Sequence, residues 1–317
     1  MALDVATATF YEEMIKGSDP DARAMHERTP EEARAYRAEL AALNGPAPPM
    51  ARAEDHTIEQ PDGSFDVRVL VPNRQPAGVI VYYHGGGWVV GSIDESDTLG
   101  RKLAERTSCA VVLVDYRLAP EHRYPVAVDD SYAALEWAAE HMTDIAGRDV
   151  PLIVAGDSAG GNLSAVMALR ARDRNGPAIA MQVLVYPVTD ANFDRPSYLD
   201  PENQLLLTRD SMIWFFDHYI PDVARRTEPE ASPLCAEDLS GLPPAVVLTA
   251  EHDPLRDEGE EYAQRLIDAG VDVDLQRHKG QMHAFFALLM LPGSERGFQQ
   301  VVKAIRRHVV RYAHANR

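Results

Sequence analysis

Cysteine is scarce in this sequence. Cys109 and Cys235 are the two thiols in 317 residues, too few for a disulfide framework or a multi-thiolate metal site. Cys109 falls in the apolar run Cys109-Ala-Val-Val-Leu-Val114 and is expected to fill a core; Cys235 lies in a loop-like stretch with no assigned role. Positive charge is in deficit too. Against 49 Asp and Glu stand 31 Lys and Arg, a net charge of −18. Such a surface repels phosphate backbones and anionic headgroups, which argues against a nucleic-acid partner and against electrostatic membrane anchoring. Long hydrophobic runs are missing: the longest, Ala284 to Pro292, is far short of the ~20 residues of a membrane span. Asp4, Glu12 and Glu13 interrupt the N-terminal stretch and no basic start precedes them, unlike a targeting signal. The expectation is a soluble, cytoplasmic protein without internal repeats or low-complexity segments. What is present is a globular mixture, 45% hydrophobic and 25% charged, which excludes a disordered chain.

The hydrophobic period divides the chain. Residues 1 to about 50 are expected to be helical. Thr29 is placed to cap a helix from Pro30 to Leu40, and Asn44-Gly-Pro-Ala-Pro-Pro49 ends it. Asp55 to Gln60 and Ser64 to Val71 alternate around Pro61-Asp62-Gly63 and predict a β-hairpin. Apolar strands and helices then take turns. Strands are expected at 78–83, 110–115, 152–155, 181–186, 245–249 and 271–276. Helices are expected at 96–107, 127–142, after the third of these strands through Arg172, at 257–269 and at 294–314. That alternation predicts a parallel sheet covered on both faces. Residues 190–243 contain no predicted strand but an aromatic-rich helix, Thr208 to Tyr219, and are expected to form an insertion above the sheet.

The strongest local signal is Gly156-Asp157-Ser158-Ala159-Gly160. It fits G-x-S-x-G in the required context, a strand before and a helix after. A serine on so sharp a turn presents its Oγ at the sheet edge, and the flanking glycines leave room where side chains would clash. The helix that follows aims free N–H groups at developing negative charge. His84-Gly85-Gly86-Gly87-Trp88 follows a buried strand. Consecutive glycines there can present backbone N–H groups to an oxyanion, each worth roughly 2.7–4 kcal/mol in a transition state. Gly85 and Gly86 are the favoured donors with Gly87 open, and Ala159 supplies another. His84 is expected to fix the loop rather than act as a base.

Where G-x-S-x-G joins strand to helix, the acid and the base follow the serine in that order. Asp253 just past a late strand is the expected acid, ahead of Asp257, expected to cap a helix, and Glu251. His283 follows the next strand and is the expected base; His278 and His252 are rivals expected to be structural. Asp157 is expected to hold the turn by hydrogen bonds, and Arg117 with Glu121 to brace a loop as an ion pair. Trp88, Tyr186, Met212, Phe215 and Phe216 are candidates for a substrate pocket, although Met212, Phe215 and Phe216 cannot share one helix face with Trp214.

Four blocks, taken together, carry a family resemblance. His84-Gly-Gly-Gly-Trp88, Asp115-Tyr-Arg-Leu-Ala-Pro-Glu-His122, Gly156-Asp-Ser-Ala-Gly-Gly-Asn162, and Asp253-Pro-Leu-Arg-Asp-Glu-Gly259 with His283 stand in order over about 200 residues. The chain resembles the hormone-sensitive-lipase-like branch of the α/β-hydrolases. The resemblance implies an α/β-hydrolase fold, with a mostly parallel eight-stranded sheet flanked by helices. It implies Ser158 as nucleophile with Asp253 and His283 as partners. It implies a core at 51–189 and 244–317, capped by helices from 1–50 and by the 190–243 insertion. It also implies hydrolysis of short- to medium-chain carboxylic esters without metal or organic cofactor. The family usually has glycine after the catalytic histidine; Ala284 here adds a methyl that trims substrate space. Relatives that bind hormones after losing the histidine suggest a receptor as the alternative, and amide, carbamate or lactone hydrolysis would use the same parts. The negative field favours a small neutral ester. For a homodimer, the last strand and the 294–314 helix are the candidate surfaces.

Overall fold

The apolar runs anticipated as buried strands do lie at the centre of a sheet. The computed structural model describes residues 2–16 and 23–315. Its eight strands are β1 (Arg52–Gln60), β2 (Gly63–Val71), β3 (Val79–Tyr83), β4 (Ala110–Asp115), β5 (Leu152–Asp157), β6 (Ile179–Val185), β7 (Ala245–His252) and β8 (Val273–Met282). Their order across the sheet is β1-β2-β4-β3-β5-β6-β7-β8. β1 and β2 pair antiparallel through the predicted hairpin, Gln60 facing Gly63 across the Pro61-Asp62 turn. β2 also runs antiparallel to β4, and all remaining neighbours are parallel. Every residue of β3, β5 and β7 is buried, as expected of strands covered on both faces. Each Val, Ile or Leu buried there contributes about 1.5–3 kcal/mol.

The described residues also form ten α-helices: α1 (Val5–Phe10), α2 (Pro30–Ala42), α3 (Ile93–Thr107), α4 (Val126–Glu140), α5 (Met142–Ala146), α6 (Ala159–Asp173), α7 (Pro196–Leu199), α8 (Arg209–Tyr219), α9 (Arg256–Asp268) and α10 (Pro292–Ala315). Among the described residues, none is long and apolar enough to cross a membrane. Side chains alternating along β3 show the two faces. Ile80 and Tyr82 pack with Leu103 of α3 and Phe298 of α10. Val79 and Val81 pack with Leu135 of α4 and Val166 of α6. On that second face Tyr262 and Leu266 of α9 join Leu169 of α6.

Local rules account for the element ends. The Thr29 side chain accepts from the Glu32 N–H, and Glu32 reaches back to the Thr29 N–H, a reciprocal cap with Pro30 at the first position. Ser92 caps α3 by accepting from the Glu95 N–H, so that helix starts three residues before the predicted 96. The predicted 127–142 helix is instead two, broken at His141 (φ −95°, ψ 14°). β8 runs to Met282, well past its predicted end at 276; Arg277 to Gln281 carry no apolar alternation to announce this. An edge strand does not need it, having only β7 as a neighbour.

Two ion-pair expectations are corrected. Arg117 does not pair with Glu121. Its guanidinium donates to Asp130 at 2.7 and 2.9 Å and to Asp62 at 3.0 Å. Glu121 receives Arg34 of α2 at 2.7 and 2.9 Å instead, which holds its carboxyl down to about 2. Four-residue spacing brings side chains together on a helix, and the 117–121 segment is not helical. Arg34 also donates to the carbonyls of Val89 and Ala119, so it fastens α2 onto the loops behind β3 and β4. Asp257 does not cap α9; it lies in that helix's first turn and accepts from the Ser197 N–H of α7 at 2.8 Å.

Residues 190–243 hold α7, α8 and short turns, with no strand. The segment leaves the sheet beside Glu258 of α9, a fully buried carboxyl that accepts from the N–H groups of Thr189 (2.7 Å) and Asp190 (3.3 Å). Burial, together with the nearby Asp190 charge, pushes this carboxyl up from the ordinary 4.5 to about 8. Between those values the folded state keeps a proton that the unfolded chain has lost. Stability is therefore full below about 4.5 and declines as pH rises through about 8. Glu258→Gln retains the accepting oxygen without the charge. Thermal melts should show the variant gaining on the parent as pH rises from about 5 to about 8; a gap that stays constant rejects the assignment.

Candidate active site

β5 ends at Asp157 and α6 begins at Ala159, which leaves Ser158 alone to turn the chain. Its φ of 57° and ψ of −118° lie where an L-residue sits only under constraint. The constraint is visible: the Ser158 N–H donates to the Val185 carbonyl at 2.9 Å, and the Ser158 carbonyl accepts from Asn162 at 3.0 Å. The glycine at 160 is a matter of contact. A Cβ there would lie 1.8 Å from the Tyr83 carbonyl oxygen, so no side chain fits between α6 and β3.

Two further parallel strands deliver the other groups to the same sheet edge. Asp253 follows β7 directly, and β8 carries the chain to His283. His283 Nε2 lies 3.0 Å from Ser158 Oγ, and His283 Nδ1 lies 2.8 Å from Asp253 Oδ2. The three residues expected from chain order are thus within hydrogen-bond reach of one another. Asp253 is fully buried, and its Oδ1 accepts from the Leu255 N–H at 2.9 Å. Ser158 and His283 are 7% and 8% exposed. A hydroxyl on an imidazole whose other nitrogen is held by a carboxylate can be deprotonated as it attacks a carbonyl carbon.

The rivals have other work. Glu251 Oε2 accepts from the Gly280 N–H at 2.8 Å, bracing the β8 backbone. His278 sits within β8, its Nε2 3.0 Å from Gln300 Oε1. His252 is buried beside Glu251. His84 stacks on Tyr116 at 4.4 Å, with Nδ1 2.8 Å from the Gly85 carbonyl oxygen. Burial lowers His84 to about 3, so it stays neutral at ordinary pH and fixes the loop.

The glycine loop corrects one expectation. The Gly85 N–H donates to Asp157 Oδ1 at 3.0 Å, and Tyr82 Oη donates to the same oxygen at 2.8 Å. Asp157 does hold the turn, and in doing so it occupies the amide favoured as an oxyanion donor. Gly86 and Gly87 line a cavity together with Ser158 and His283. Ala159 opens α6, where first-turn N–H groups have no intrahelical acceptor.

That cavity has walls from distant parts of the chain. Tyr36, Arg37, Leu40, Ala41 and Asn44 come from α2 and its end; Leu206, Leu207, Met212 and Phe215 come from the 190–243 segment. Ala284, with φ 68°, lies beside His283 on the same wall. Of the five pocket candidates, Met212 and Phe215 line the cavity. Phe216, Trp88 and Tyr186 do not. One residue step, about 100° around α8, separates Phe215 from Phe216, which meets Trp88 edge-on at 5.3 Å. Trp88 is wholly buried and stacks on Tyr219 at 4.3 Å. Tyr186 packs at 4.6 Å against the His283 ring, a flank for the imidazole rather than a cavity wall. The reading from sequence missed Arg37 and Glu95, two charged cavity residues. The signal was the spacing 37, 40, 41, 44, one stripe of α2 that carries an arginine among small and apolar residues.

Known proteins resemble this chain over most of its length. The alpha/beta hydrolase fold family matches residues 80–287. Carboxylesterase NlhH of Mycobacterium tuberculosis is 44% identical over 81% of this chain and 84% of its own. Ethyl acetate hydrolase of Pseudomonas putida is 37% identical over 90% of this chain and 92% of its own. A thermostable esterase from Pseudomonas putida superposes with a TM-score of 0.88 at 36% identity, covering 97% of this chain and 98% of that one. With its eight-stranded sheet and the four sequence blocks in order, the chain belongs to the α/β-hydrolase fold family, in the hormone-sensitive-lipase-like branch.

Proposed function

We propose that the protein is a serine carboxylesterase in which Ser158, His283 and Asp253 act as the catalytic triad. The Ser158–His283–Asp253 hydrogen-bond chain at 3.0 and 2.8 Å carries this reading. The esterases of known name that resemble it over most of their length support it. Ser158 Oγ attacks the ester carbonyl as His283 Nε2 takes its proton. Asp253 holds the imidazole and offsets the charge it gains. The N–H groups of Gly86, Gly87 and Ala159 receive the oxyanion. His283 then gives the proton to the departing alcohol. Water, deprotonated by His283, next attacks the acyl-serine carbonyl and releases the acid.

The substrate is a small neutral ester of short to medium acyl chain. Cavity walls drawn from α2 and from residues 190–243 support a cap made of those two segments, which limits chain length. A series of 4-nitrophenyl esters from acetate to palmitate tests this, with one amide and one lactone added. Rates should peak among the shorter esters and vanish at palmitate. Ala284→Gly, which removes a methyl from the wall beside His283, should move the peak toward longer chains. A flat profile would reject the cap, and faster turnover of the amide or lactone would reassign the substrate.

A further inference from the structure

Most of the cavity wall is apolar, with Leu40, Leu99, Leu207, Met212 and Phe215 among its residues. Arg37 and Glu95 break that pattern. Arg37 Nε donates to Glu95 Oε2 at 2.8 Å, and their side chains are 27% and 14% exposed. The pair joins α2 to the first turn of α3, and both residues border the space that Ser158 and His283 border. An arginine carries five N–H donors in a planar fork. One is spent on Glu95; among the described residues the two terminal nitrogens of Arg37 have no hydrogen-bond acceptor.

Resting on the esterase reading above, we infer that Arg37, held in place by Glu95, is a polar subsite for a neutral acceptor oxygen at the far end of the substrate. The favoured class is an ester with a ketone or second ester carbonyl remote from the scissile bond. Charge decides against a free carboxylate. Among the described residues Arg37 is the one Arg or Lys lining the cavity, while Glu95 and Asp157 both line it. The acids outnumber the cation in a molecule of net charge −18. A neutral carbonyl gains the arginine's hydrogen bond without that repulsion. A purely alkyl chain instead displaces water from those N–H groups without replacing its hydrogen bonds, which costs affinity. The preference is thus built from both terms.

The test compares kcat/KM for 4-nitrophenyl oxoalkanoates, the ketone stepped along the chain, with alkanoates of matched length. A parallel pair places the ketone in the alcohol portion. The parent enzyme should favour the ketone by about tenfold or more at its best position. Arg37→Met combined with Glu95→Met removes both charges together, so neither is stranded; it should bring the ratio to about one. Should that variant fail to fold, Arg37→Lys keeps the cation beside Glu95 but loses the planar fork, and should cut the ratio likewise. A ratio near one in the parent at every position overturns the subsite, as does a ratio that survives in the variants. Loss of the Arg37–Glu95 latch alone would slow both members of each pair equally and leave the ratio standing. Absence of turnover on every ester would instead remove the esterase reading itself.

Discussion

Ser158→Ala is expected to lower kcat on a short-chain 4-nitrophenyl ester by roughly 10⁶-fold. The serine hydroxyl lies 3.0 Å from His283 Nε2, and without it no acyl-enzyme forms. What remains is the effect of oriented N–H groups and substrate binding, roughly 10³–10⁴ over water. The variant should stay folded. Its backbone keeps the Ser158 N–H bond to Val185, and alanine meets the φ of 57° about as well as serine does. The measurement is burst kinetics alongside a thermal melt. A surviving burst would mean another nucleophile; a collapsed melt would mean that the loss of rate says nothing about chemistry.

Asp253→Asn should cost about 10⁴-fold in kcat. Asparagine can keep the bond that Asp253 Oδ1 accepts from the Leu255 N–H, so the loop geometry survives. Its amide then donates to His283 Nδ1, where the carboxylate accepted. The imidazole proton must move to Nε2, the nitrogen that faces Ser158, and that nitrogen can no longer take the serine's proton. A thermal melt separates this from misfolding, because a tautomer fault leaves the fold and its melting temperature in place. A rate within tenfold of the parent would move the orienting acid elsewhere. Glu251 is poorly placed for it, since its Oε2 is already bonded to the Gly280 N–H.

Legibility in the sequence followed burial. β3, β4, β5 and β7 could be read because strands enclosed on both faces must be apolar throughout. The serine turn could be read because close backbone approach excludes side chains at fixed positions, as at Gly160. Asp253 and His283 were legible from order alone, since each stands at a strand end. The misses share another cause. β8 past Gln276 was hidden because an edge strand tolerates polar residues. The partners of Arg117 lie 13 and 55 residues away in sequence and that of Glu121 lies 87 away, beyond any local spacing rule. The role of Gly85 turned on which oxygen its N–H meets, and that depends on Asp157 at the end of the neighbouring strand β5. Which of Phe215 and Phe216 faces the cavity depended on the rotation of α8, which its sequence, aromatic on several sides, does not set.

Asn44, at the end of α2, donates from Nδ2 to the Ala287 carbonyl at 3.0 Å and accepts at Oδ1 from the Leu289 N–H at 2.8 Å. Both contacts fall on the segment just after His283. The helix that bounds the cavity is therefore riveted to the loop that aims the imidazole. A substrate too bulky for the cavity would lever α2 outward, and that lever arm ends on the base. Oversized esters should then be penalised in the chemical step as well as in binding, because the wall that feels their bulk also carries the alignment of His283.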